Sequence, residues 1–283
     1  MSTIRTFARS HPLLVTAVGL AIGLAVIWFV PSDGSLANMM FIRLGLTIVM
    51  FAIMAVAAGC NIIVPNAKSI GLSFKKSIYP LVVALVMGVF VLLGTAMKNE
   101  GMVSDWPLQL ALVIMLCLLV GTFEEGLFRG IVFSGLLARF GETRRGLIGA
   151  VIVSSLIFGF VHVTPSIMNG QVVTGLDMAQ AALKSPASRH PGRVSGRPVP
   201  ETRNIWASRW FMASTTFRDA GRRAFLPAPR STTYVNNDAM MASASVVMYG
   251  VFFLLYIPII VSTVRMLKQV EVPCKGPFAD RWS

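Results

Sequence analysis

The sequence predicts an all-α protein, a polytopic bundle of about six transmembrane helices, and three observations predict it. Of its 283 residues 55% are hydrophobic and only 13% charged. Several apolar runs approach the roughly 20 residues that span a bilayer. Lys and Arg recur after alternate runs, the charge pattern of a chain that crosses repeatedly. The formal charge of +13 does not point to nucleic acid, because ten of the 25 basic residues fall between Lys184 and Arg230 and the excess is local. The expected partners are the lipid bilayer and a peptide or protein at the membrane.

Residues 1–11 form a short basic head with Arg5 and Arg9, and Leu13–Val30 is the first span. A signal peptide is the rival reading, but no small-x-small cleavage pattern precedes Pro31 and further spans follow. Met39–Ala58 is the second span, with Arg43 near its outer end, where the stem can snorkel. A polar connection with Lys68, Lys75 and Lys76 leads to the third, Ile78–Met97. Pro107 suits the first turn of the fourth span. Its apolar run, Leu108–Val120, leads into Glu124 and Glu125 near the cytoplasmic end, and the helix goes on to about Phe140. Gly146–Val163 is the fifth span and Val246–Val264 the last, followed by Arg265, Lys268 and Lys275. Arg5/Arg9, Lys68/Lys75/Lys76 and Arg139/Arg144/Arg145 share one side, which the positive-inside rule makes the cytoplasm. The reading is a multi-pass cell-membrane protein with both termini cytoplasmic.

The chemistry sits in two places. An adjacent pair of carboxylates at the end of an apolar helix is expensive, of the order of 3 kcal/mol each on insertion scales. Arg129 lies four residues after Glu125, so the two can pair on one helical face. That leaves Glu124, about 100° around the helix, directed elsewhere. Phe158 and His162, also at i and i+4, close the next apolar run. Read alone, the Glu pair is equally a polar helix end and His162 a hydrogen bonder between helices. Together, Glu124 and His162 make a water-activating pair.

The ordered pair of motifs, Glu-Glu-x-x-x-Arg and then Phe-x-x-x-His on the next apolar helix, resembles the CAAX-protease and bacteriocin-processing (CPBP) family of intramembrane proteases, which includes the Abi proteins. The likeness runs from about residue 80 to 182, with a further stretch at 202–207. It implies a hydrolase, an intramembrane endopeptidase with Glu124 and His162 catalytic and Glu125, Arg129 and Phe158 in support. It implies one shared site, with Glu124 and His162 within direct or one-water reach. Members are often called metalloproteases, which would imply a divalent metal such as Zn on Glu124 and His162. A Zn site takes three or four protein ligands, and the sequence offers at most Glu124, Glu125 and His162, so the residues leave the cofactor open. His190, in Arg-His-Pro, is no candidate ligand, and Cys60, Cys117 and Cys274 have no metal spacing. A non-catalytic immunity or scaffold protein on the same fold is the alternative. A small transporter is disfavoured because no broken-helix repeat is visible.

Three regions follow: residues 1–183 as the membrane bundle, 184–230 as an irregular basic segment, and 231–283 as the final span and tail. The middle region is rich in Arg, Pro and Ser without apolar periodicity. The family's third motif, His-x-x-x-Asn or His-x-x-x-Asp, is absent from the chain. Yet one possible set of codons for Arg209–Phe217, read one base earlier, gives Leu-Val-His-Gly-Leu-Asn-Asp-Phe. Trp210-Phe211 forces the Val, Met212-Ala213 forces the Gly, and the His has only Tyr as its rival. The expectation is frame shifts over about 184–201 and again over about 208–230, with Thr202–Ala207 in frame between them, whose repair restores two helices, eight spans in an intact relative. The chain as written is then inactive or nearly so. A genuine basic loop is the other reading.

Overall fold

The structure, a computed structural model, describes residues 2–29, 35–57, 82, 86, 105–168, 170, 172, 174–180, 239–269 and 272–273. Among them there are helices and no strand. Three helices are long and apolar enough to cross a membrane, Leu36–Ala57, Pro107–Phe140 and Arg144–Met168, beside shorter apolar stretches at Pro12–Val26 and Ala242–Val251. The all-α membrane bundle is therefore the fold class. Of the expected third span only Val82 and Val86 are described, both helical. Lys68, Lys75, Lys76, Cys60, Cys274, Lys275 and the whole of 184–230, with His190, lie outside the described residues.

The chain divides into two compact units, Met1–Val132 with Thr202–Arg230, and Phe133–Glu201 with Ser231–Ser283. In the first, α1 (Ser2–Ser10), α2 (Pro12–Phe29), α3 (Leu36–Ala57) and α4 (Trp106–Glu125) precede a π-helical stretch, Gly126–Phe133, whose last residue opens the second unit. The basic head is thus a helix of its own. Its short sequence has no apolar run to mark it, and it is held by packing on α2 and α3. Pro12 opens α2 and Pro107 opens α4, where a missing N–H costs nothing.

Side-chain pairs fix the helix directions inside this unit. Leu36 packs near Val113, Thr47 Oγ1 reaches the Leu119 carbonyl at 3.5 Å, and Met50 and Met54 meet Gly126 and Gly130. These pairs advance together along both chains, so α3 and α4 run the same way. Gly19 meets Ile131 while Gly23 meets Leu127 and Phe123, so α2 runs against them. Spans one, two and four of an alternating bundle must be related in this way. The close approaches rest on small residues: Gly19 and Gly23 on α2, and Gly126 and Gly130 after α4, are i, i+4 pairs of the kind that lets membrane helices touch.

The second unit holds α5 (Ser134–Phe140), α6 (Arg144–Met168), helical residues 175–180 and α7 (Ala239–Gln269). A tight turn joins α5 to α6. Gly141 N–H closes α5 on the Leu137 carbonyl at 2.8 Å, and Thr143 Oγ1 accepts the Gly146 N–H at 3.1 Å, capping α6. Gly146 is required there, because a Cβ would overlap the Phe140 carbonyl oxygen. After Gly170, at φ +64°, Thr174 and Asp177 cap the next helical turn reciprocally, at 2.8 and 3.2 Å. Arg144 donates to the Leu267 carbonyl, tying the first turn of α6 to the last turns of α7.

The helix continues past the acidic pair to Phe140, as expected, and Glu124 lies halfway along Pro107–Phe140 rather than near its cytoplasmic end. The helix α6 runs past Val163 to Met168, so His162 is not at its tip.

Candidate active site

Glu124 and Glu125 occupy the last two positions of α4, and Arg129 sits in the π-helical stretch that follows. A π segment inside a longer helix is rare and often marks a functional site. Arg129 Nε lies 3.0 Å from Glu125 Oε2, with Glu125 buried and Arg129 partly open. The ion pair answers the cost of burying a carboxylate among apolar helices. Glu124, on a different side of the helix, is half-buried.

The walls of this region come from α2 and α3. Phe123 is buried against Gly23, and Thr122 Oγ1 donates to the Leu118 carbonyl at 2.6 Å. Arg43 was expected to snorkel outward. Its guanidinium carbon instead lies 5.6 Å from the Phe123 ring centroid, a cation–π contact one residue from the acidic pair. Sequence reasoning missed this neighbour, and it missed Met50 and Met54, which pack on Gly126 and Gly130. The only signal was the Gly-x-x-x-Gly spacing across the motif itself.

Phe158 and His162 sit on α6. His162 Nδ1 is 2.9 Å from the Phe158 carbonyl, and the rings tilt at 31° with centroids 4.2 Å apart. A carbonyl only accepts, so Nδ1 carries a hydrogen and donates it. The same arrangement recurs at Phe7 and His11, with Nδ1 3.1 Å from the Phe7 carbonyl and ring centroids 4.5 Å apart. The local geometry is therefore a property of the Phe-x-x-x-His spacing. What separates the copies is place: His11 is exposed, whereas His162 is half-buried beside the buried Phe158.

Glu124, Glu125 and Arg129 belong to the first unit, Phe158 and His162 to the second. Among the described residues no three His, Cys, Asp or Glu side chains are grouped to hold a metal, so the described donors do not furnish a zinc set.

A family model, Type II CAAX prenyl endopeptidase Rce1-like, matches residues 106–188. No curated protein and no solved structure matches the chain. The matched stretch opens with α4 and contains all five site residues. Over residues 106–188, the chain is thus similar to the Rce1-like, type II CAAX prenyl endopeptidase family.

Proposed function

We propose that the chain is built as an intramembrane endopeptidase acting on peptide or protein substrates at the membrane, with Glu124 and His162 sharing one site. The observation that carries this is the division of labour in the acidic pair. Glu125 is the carboxylate that pairs with Arg129, and its half-buried neighbour Glu124 lies on another side of the same helix within a matched protease segment. Counts along the chain support a shared site. Glu124 is sixteen residues before Phe140 and His162 eighteen after Arg144, roughly 24 and 27 Å of helix from the turn between them.

In the proposed reaction Glu124 takes a proton from water, and the water oxygen attacks the substrate carbonyl carbon. His162 Nε2 accepts the water's second hydrogen and so aims the oxygen. Collapse of the tetrahedral adduct breaks the C–N bond, and Glu124 returns its proton to the leaving nitrogen. No step is routed through a metal. The third motif, whose donors would steady the oxyanion, is missing as written. Losing one such donor costs about 3 kcal/mol, so the printed chain is proposed to be inactive or nearly so.

The test uses a chain whose reading frame is repaired across 184–230, assayed on a prenylated CAAX peptide. Repair is expected to give cleavage, and Glu124→Gln to reduce it by about 10²–10⁴-fold. Full activity of the printed chain would overturn the frame-shift reading. Repaired-chain activity that survives Glu124→Gln would overturn the catalytic one, and an immunity or scaffold phenotype that survives it would favour the non-catalytic alternative.

A further inference from the structure

We propose that the end of the second unit where α5 gives way to α6 and where α7 stops is a binding surface for the headgroups of anionic phospholipids. Five cations from three helices share this end. Arg139 lies in the last turn of α5, Arg144 and Arg145 open α6, and Arg265 and Lys268 close α7. They are neighbours because Arg144 Nη1 donates to the Leu267 carbonyl, which joins the start of α6 to the end of α7. Arg144 is spent on that tie. Arg139, Arg145, Arg265 and Lys268 are exposed. Glu142 is the one carboxylate among the described residues of α5, α6, α7 and the α5–α6 turn.

The surroundings decide for a lipid headgroup over a dissolved anion. One turn inward the exposed residues become apolar: Ile148 and Ile152 on α6, Val264 and Val261 on α7. Cations above an exposed apolar stripe match the step from headgroup to hydrocarbon. Their stems cover the stripe while the charged heads reach phosphate oxygens, with Arg forks able to take two oxygens at once. Basic residues beside a membrane gain affinity for an anionic leaflet charge by charge, and salt screens it. The surface needs only the membrane setting and does not depend on the proposed catalysis.

The test compares the full chain in phosphatidylcholine nanodiscs with and without phosphatidylglycerol, following retention of labelled phosphatidylglycerol. Arg145→Gln, Arg265→Gln and Lys268→Gln together are expected to weaken retention at low salt by on the order of a hundredfold, about fivefold per charge. A control removing the same charge elsewhere, Arg193→Gln, Arg197→Gln and Arg203→Gln, is expected to change it far less. Arg145→Lys with Arg265→Lys is expected to retain the lipid. Equal loss in both triple variants, no loss in the first, loss in the Lys variant, or displacement by inorganic phosphate alone would each overturn the proposal.

Discussion

Arg129 and Glu125 show what one ion pair does inside an apolar bundle. Removing one partner of a buried pair leaves the other charge uncompensated, typically at roughly 3–5 kcal/mol. Arg129 is 30% exposed at its side chain, so Arg129→Ala should fall at the lower end of that range. Glu125→Gln combined with Arg129→Gln should cost less than Arg129→Ala, because no charge is stranded. Thermal unfolding of purified protein in detergent checks both, and a double variant as unstable as the single would refute the brace. This pair was legible from four-residue spacing alone. The Nδ1 hydrogen bond of His162 was not, although Phe158 was named beside it. It follows from a backbone carbonyl one turn back, and Phe7 and His11 show that spacing creates the grouping without choosing its role.

At the scale of elements, span positions were legible within a few residues for α2 and α3, since length and apolarity set them. Ends were less so. α7 runs from Ala239 to Gln269 where Val246–Val264 was expected, because polar residues such as Ser243 and Ser245 continue a helix as readily as they end it. The π-helical stretch left no readable pattern beyond its two glycines. Glycines that look alike in sequence separate by their surroundings. Gly146→Ala must displace the Phe140 backbone and should destabilise by roughly 1–3 kcal/mol, as overpacking does. Gly149→Ala, three residues on with nothing within 4 Å of its added Cβ, should stabilise α6 by about 0.5–1 kcal/mol. Unfolding midpoints of the two variants should move in opposite directions, and a shared direction would contradict the α5–α6 turn geometry.

For the whole molecule the directions of α2, α3 and α4 agree with alternating spans one, two and four, while sidedness rests on the distribution of Arg and Lys. Reporter fusions at residue 1 and residue 283 should both be active only in the cytoplasm, and an external signal at either end would refute that orientation. The sequence named Glu124 and His162 for one site through motif order. Composition could not have named them, because it carries neither order nor spacing. A last consequence follows from the widened coil at Gly126–Phe133. There each amide reaches one residue further back than in an α-helix, so the helix winds less per residue. The stretch thus works as slack in a wound spring. Tightening it toward α would swing every later side chain of Pro107–Phe140 around the axis, leaving Glu124 still while re-aiming what lies beyond it.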